Sequence, residues 1–337
     1  MKKLLYFFGA AIITMAAISC DSKTHETTEA ENTNASATVV DSDSVATVYY
    51  IKDINPQTLL KVYDALGVKA QGNKIGIKIS TGEGGTSHQL DTALIADLVR
   101  EIGGNFIECN TAYRGSRYDT ESHLKIAKEH GYVDLAGVDI MDADGEVDLP
   151  VEGGKHLDKD IVGKTFPDYD FVVVLSHFKG HAMGGFGGAL KNISIGIGSK
   201  NGKAYIHSAG QTANTDSIWM IKTEQDDFIE SMAEAAKAII DSKGPENMLY
   251  INVANNLSVD CDCDAHASAP CMGDLGVFAS LDPVALDRAC VDMVFNTTDE
   301  GKKDLIERID SRHGAHILPY AEQIGVGTQK YKLVTIE

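Results

Sequence analysis

The sequence predicts an α/β fold, with mainly parallel sheet(s) flanked by helices, as one large domain or two closely packed lobes. Three observations lead there. From residue 46 onward, short apolar runs of strand character alternate with segments that carry apolar residues at helical spacing, the pattern of strands joined by crossover helices. The run Phe171–Leu175 breaks off into polar residues and a glycine-dense loop, Gly184-Gly185-Phe186-Gly187-Gly188, as strand ends do where open α/β sheets bind ligands. After the first 45 residues about 290 remain, enough to bury a substantial core.

Taken in order, residues 1–19 read as an export signal. Lys2 and Lys3 form its basic start, Leu4–Ile18 its apolar stretch, and Cys20 follows a small-residue approach. This resembles the bacterial lipoprotein pattern in which the cysteine, Cys20, becomes lipidated. Ala17 stands where a leucine is usual, and plain secretion with a free Cys20 is the alternative. Residues 20–45 have no aromatic residue and are rich in Ser, Thr, Asn, Asp and Glu, the composition of a flexible tether. The folded body is expected over 46–337, outside the cytoplasm.

Within it, Val45–Ile51 predicts a strand and Asn55-Pro56 opens a helix to Leu66. Lys74–Ile79 predicts a strand, Asp91–Ile102 a helix ended by Gly103-Gly104, and Asn105–Glu108 a strand. Asp119–His130 predicts a helix closed by Gly131. Strands follow at Asp170–Leu175 and Met248–Val253, with an amphipathic helix at Glu224–Ile240 between them. Asp282–Phe295 predicts a helix capped by Asp282 with Pro283 in its first turn, and Lys332–Ile336 a closing edge strand.

Removing Lys2 and Lys3 takes the formal net charge from −19 to about −21, which argues against nucleic acid and anionic lipid as partners. Contact with the membrane is expected through the lipid anchor only. Five cysteines remain after Cys20, an odd number outside the cytoplasm, and Cys290 lies in an apolar helical run as a core residue.

The chemistry concentrates in a few clusters. His177 and His181 follow the Phe171–Leu175 strand at a spacing that lets both rings face one metal ion; alternatively they bond loop backbone or hold an anion beside Lys179. Gly184, Gly185, Gly187 and Gly188 either let backbone N–H groups approach an anion or form a tight packing turn. Lys191 and Asn192 add a charge and an amide just beyond. Asp260-Cys261-Asp262-Cys263-Asp264, with His266 and Cys271, is either a metal-ligand set or a disulfide from Cys271 to Cys261 or Cys263. Glu108-Cys109-Asn110-Thr111, followed by Arg114 and Arg117, suits recognition of a carboxylate or phosphate; the arginines could instead pair with surface acids.

Four motifs in order, CNTAYRGSR (Cys109–Arg117), LSHFKGHAMGGFGGALKN (Leu175–Asn192), VDCDC (Val259–Cys263) and GDLGVFASLDPVALDRA (Gly273–Ala289), resemble the domain of unknown function 362 family. Its members are often labelled uncharacterised iron–sulfur centre proteins, and the resemblance spans about residue 47 to the C-terminus. Many members insert a ferredoxin-like module with Cys-x-x-Cys-x-x-Cys runs. Here the corresponding Gly202–Thr223 holds no cysteine, so the ligands of a four-iron cluster are missing. The signal has no twin arginine, and export of an unfolded chain would not preserve such a cluster.

The expected function is that of a metal-assisted enzyme acting on a small anionic compound. His177, His181 and Lys179 are its expected catalytic residues. His177, His181, His207, Cys261 and Cys263 are expected to hold a divalent metal, zinc or iron. Arg114, Arg117, Lys191, Asn192 and the four glycines are expected to bind the substrate. The alternatives are a non-catalytic lipoprotein that captures a small ligand or metal, and a dithiol redox protein.

Overall fold

The computed structural model describes residues 45–85 and 88–337. The export segment, Cys20 and the tether as far as residue 44 lie outside the described residues. Those described belong to one compact unit.

The chain begins with strand β1 (Ala46–Ile51), helix α1 (Pro56–Ala65), β2 (Ile75–Lys78), α2 (Thr92–Ile102) and β3 (Asn105–Glu108). Next come α3 (Thr120–Glu129), a single turn α4 (Tyr132–Leu135), β4 (Val138–Ile140), and the hairpin β5 (Glu146–Pro150) with β6 (Lys159–Gly163). The central strand β7 (Phe171–His177) leads into a small hairpin, β8 (Lys179–His181) and β9 (Gly185–Gly187), and then into α5 (Ala189–Ile197) and α6 (Lys200–His207). The last part holds α7 (Gln225–Lys243), β10 (Met248–Ala254), β11 (Gly276–Ser280), α8 (Pro283–Asn296), α9 (Lys302–Ser311), α10 (Ile317–Gln323) and β12 (Tyr331–Thr335).

Eight strands form one sheet in the order β12-β1-β11-β10-β7-β2-β3-β4. It is mainly parallel: β11 alone runs against its two neighbours, β1 and β10. Strand β12 closes the edge beyond β1, as the C-terminal apolar run predicts. Side chains alternate between the faces. Phe171, Val173 and Leu175 pack with α1, α2 and Tyr132, while Val172 and Val174 pack with α5, α7 and α8. Each such buried aliphatic side chain contributes roughly 1.5–3 kcal/mol over leaving it in water.

The helix starts follow the polar residues that precede them. Asn55 accepts the N–H groups of Gln57 and Thr58, while its own N–H is held by the Thr58 hydroxyl. Asp91, Asp119 and Asp282 cap α2, α3 and α8 in the same way. The hairpin β8–β9 was not expected as strand, since its glycine and histidine content disfavours a ladder. Among the described residues no helix is long and apolar enough to cross a membrane.

Candidate functional site

Adjacent parallel strands β10, β7, β2 and β3 end at the same side of the sheet, and their carboxyl ends open into one cleft of about 430 Å³. Lys78 ends β2, Glu108 ends β3 and His177 ends β7. Helices α5 and α6 form one wall through Lys191, Lys203 and His207, and the 260–265 loop forms another. The site thus occupies the strand-end position where an α/β sheet presents its loops to a ligand.

Several charges in this cleft are already neutralised. The buried Arg117 donates to Glu83 at 3.2 Å and to Glu108 at 3.2 Å, and also reaches Ser80 and Tyr113. Glu108 further accepts the Thr81 N–H at 3.0 Å and the Thr81 hydroxyl, and faces Nε2 of the fully buried His123 at 3.0 Å. Burial opposes ionisation of Glu108, but His123, Arg117 and Lys78 more than reverse it and hold its carboxyl far below the usual range. Asp262 is a second buried anion, bonded to His177 Nδ1 at 2.9 Å and Lys179 Nζ at 3.0 Å. Here too burial is overcome, by His177 and Lys179, and the carboxyl stays ionised.

Among the described residues, three lysines of the cleft lack a carboxylate partner. Lys78 donates to the Ile79 carbonyl at 2.5 Å and to Asn192 Oδ1 at 3.0 Å, and Lys203 to the Gly198 carbonyl at 2.6 Å. Lys191 Nζ, in the cleft wall, has neither hydrogen bond nor ion pair among the described residues. Burial, with Arg117 nearby, pushes Lys191 down to about 8; burial pushes Lys78 down to about 7, although Glu108 opposes it. In a chain of net charge −19, Lys191 is thus an unpaired cation in the cleft wall.

The three histidines differ in what they can do. Both nitrogens of His177 are engaged within the protein, Nδ1 with Asp262 and Nε2 with the Asn255 carbonyl at 2.7 Å, so the ring is not turned toward a metal. His181 Nδ1 accepts N–H bonds from Met183 at 3.2 Å and Gly184 at 2.8 Å, which places the ring proton on Nε2. Burial and the adjacent Lys191 hold this ring well below the usual histidine range. His207 Nδ1 donates to the Lys203 carbonyl at 2.6 Å while the ring stacks on Phe228, leaving Nε2 as a free acceptor. Burial pushes His207 down to about 4, so this lone pair is unprotonated at neutral pH.

Cys261 and Cys263 are joined by a disulfide in the cleft wall, and Cys271 is free. This corrects the alternative in which Cys271 pairs with Cys261 or Cys263. Its backbone N–H and its Sγ both bond the Leu257 carbonyl, at 2.8 and 3.4 Å, which holds it at the neck of the loop. The ligand atoms of His181, Cys261 and Cys263 all lie within 4.8 Å of one another, a group able to hold a metal ion. As arranged, the sulfurs are bonded to each other and His181 Nδ1 is engaged. Ligation therefore requires reduction of the disulfide and a change in the protons and hydrogen bonds of the imidazole.

The remaining sequence-predicted residues divide. Gly187 and Gly188 line the cleft, but Gly184 and Gly185 do not. Gly185, at φ +78°, packs so closely that an added Cβ would meet Gly314 Cα at 2.7 Å. The expected anion cradle at the start of α5 is occupied from within: Ala189 N–H and Leu190 N–H donate to Asp287 at 2.8 and 3.0 Å. Asn192 binds Lys78, Leu175 and Ser176, and so positions β2 and β7 rather than a substrate. Arg114 is exposed at the rim, 5.3 Å from the Tyr118 ring centre. Arg117 and Lys179 are consumed by their carboxylates, which leaves Lys191 and Arg114 as the expected cations still open to a ligand.

Sequence reasoning missed Lys78, Lys203 and the Glu108–His123–Thr81 network. Lys78 did leave a signal: a lysine ending a strand covered on both faces has only a cleft to point into.

A family model described as "Domain of unknown function (DUF362)" matches residues 75–292. No curated protein matches the chain. Among solved structures, the lactate racemase apoprotein from Thermoanaerobacterium thermosaccharolyticum is similar at 13% identity, covering 86% of this chain and 84% of its own, with a TM-score of 0.42. A protein from Thermotoga maritima is similar at 13% identity, with 71% and 57% covered and a TM-score of 0.38.

Proposed function

The chain belongs to the domain of unknown function 362 family, and we propose that it is an extracytoplasmic, lipid-anchored enzyme that binds a small anionic compound in the strand-end cleft and moves a proton on it. Unpaired Lys191 is the observation that carries this reading. A carboxylate or phosphate on Lys191 replaces water with a charge-assisted bond, and neighbouring Lys78 and Lys203 add positive potential. His207 is the base: its Nδ1–H is fixed on a backbone carbonyl, Nε2 is unprotonated, and a bound anion beside the ring raises its proton affinity from the value of about 4 that burial imposes. Lys78, at about 7, is matched to return one near neutral pH. His181, Cys261 and Cys263 are the residues for a divalent metal, zinc or iron, which would polarise a substrate oxygen. Lys2, Lys3, the apolar stretch and Cys20 support export and lipidation, and the acidic chain argues against nucleic acid.

The Cys261–Cys263 disulfide favours a second reading, a dithiol redox protein using that pair. The test is incubation of the full chain with small carboxylates and phosphate esters in deuterium oxide, followed by mass spectrometry. Conversion or deuterium uptake that disappears in His207→Gln supports the enzyme. Stoichiometric binding with no conversion of any compound would make this a capture protein, and disulfide reduction coupled to oxidation of an added dithiol would favour the redox reading.

A further inference from the structure

Away from the cleft, and sharing no residue with it, a second group of side chains converges on helix α7. Asp227 and Glu230 lie three residues apart, so their carboxylates project from one face. His156, on the loop between β5 and β6, sits over them: its Nε2 is 2.7 Å from Glu230 Oε2 and 3.9 Å from Asp227 Oδ1. One ligand atom from each of the three falls within 4.8 Å of the others. In tetrahedral zinc with bonds of about 2.0–2.2 Å, neighbouring ligand atoms are about 3.3–3.6 Å apart, between the two distances seen here.

The loop is held for this arrangement. Glu234, one turn beyond Glu230 and itself buried, accepts the backbone N–H groups of Lys155, His156 and Leu157 at 2.8, 3.0 and 2.8 Å, and also the Tyr320 hydroxyl. His316 Nε2 lies 3.0 Å from the other oxygen of Glu230 and orients that carboxylate, as outer partners of metal ligands do. A cation already pairs with one of the three ligands. Lys155 Nζ is 2.7 Å from Glu230 Oε2, on a side chain that is 61% exposed and free to swing into water. The side chains of His156 and Glu230 are only 9% and 10% exposed.

We propose that His156, Asp227 and Glu230 form a zinc site that fastens the 151–158 loop to α7, with Lys155 holding the place when zinc is absent. One imidazole with two carboxylates selects zinc over calcium or magnesium, which prefer all-oxygen sets. The fourth position falls to water.

The test is titration of the metal-stripped full chain with zinc alone, in the absence of reductant so that Cys261 and Cys263 stay joined. Wild type and a Cys261→Ser/Cys263→Ser variant are expected to bind this zinc equally and to melt at a higher temperature with it. Glu230→Gln and His156→Gln lose one zinc equivalent, and Lys155→Ala binds several-fold more tightly because the competing cation is gone. Cobalt in the same site gives visible bands without a thiolate charge-transfer band. Failure of the wild type to bind zinc at micromolar concentration, or binding unchanged in His156→Gln, overturns the proposal. Should Glu230→Gln not fold, Lys155→Ala on its exposed side chain decides: unchanged or weaker binding contradicts the site.

Discussion

Lys191 and Arg117 carry the same charge into one cleft, and only Lys191 is left for a ligand. The difference lies in neighbours: Arg117 pairs with Glu83 and Glu108, while among the described residues no carboxylate bonds Lys191, although Asp262 and Glu108 act on it through space. A charge-assisted bond to a ligand is worth about 1.5–3 kcal/mol, so Lys191→Met is expected to weaken binding of inorganic phosphate or a small carboxylate by about 10- to 100-fold, read by titration calorimetry. Because Lys191 is held at about 8, that binding is present well below this pH and is lost as pH rises through it. The sequence showed both residues as cations near a strand end but could not show pairing, which depends on partners brought in from elsewhere in the chain. His177 and Lys179 illustrate the same limit, since Asp262 reaches both from 83 or more residues away.

Asp160 poses the opposite case. It is fully buried with neither carboxylate oxygen hydrogen-bonded, and burial pushes it up to about 8. Its proton stays on in the folded protein and leaves the unfolded chain near pH 4. Stability therefore falls by up to about 1.4 kcal/mol per pH unit between roughly 4 and 8 on its account. Asp160→Asn is expected to raise the melting temperature at pH 8.5 and to change it little at pH 4. Equal shifts at both pH values would show that the carboxyl does not titrate this way.

Among the elements, α5 shows best how a glycine-rich strand end can be misread as an open anion cradle. Gly188 precedes it without a side-chain cap, and Asp287 from α8 supplies the missing acceptor while also receiving the Asn252 amide at 2.7 Å. Asp287→Ala strands these donors in the core and is expected to cost roughly 2–5 kcal/mol in urea unfolding. The sequence placed Asp287 correctly on a helix opened by Asp282 and Pro283, but the meeting of α8 with α5 is tertiary. The 260–271 loop behaves similarly: its cysteines were visible, while the bond of Cys271 to Leu257 that removes it from pairing was not. Alkylation of the denatured, unreduced chain is expected to label Cys109, Cys271 and Cys290, and to reach Cys261 and Cys263 only after reduction.

At the scale of the whole molecule, the alternation of apolar runs and amphipathic segments was sufficient for a mainly parallel sheet under helices. The central strands are apolar on both faces, and the caps at Asn55, Asp91, Asp119 and Asp282 stand where their residue types predict. Short pieces escaped: β4 has three residues, and the β8–β9 hairpin is built from residues that propensity assigns to loops. The hairpin lines the cleft through Lys179, His181 and Gly187, where local preference yields to site geometry. The site's location was legible as polar residues at strand ends, but its division of labour was not.

The central claim is that this cleft is an anion site built on Lys191. Its most direct test is calorimetric titration of wild-type chain and Lys191→Met with inorganic phosphate and a series of small carboxylates, at pH 7 and pH 9.5. Wild type is expected to bind one-to-one at pH 7, with binding that collapses at pH 9.5 and in the variant. Binding of the same strength in Lys191→Met, or no binding of any anion by wild type at pH 7, would contradict it.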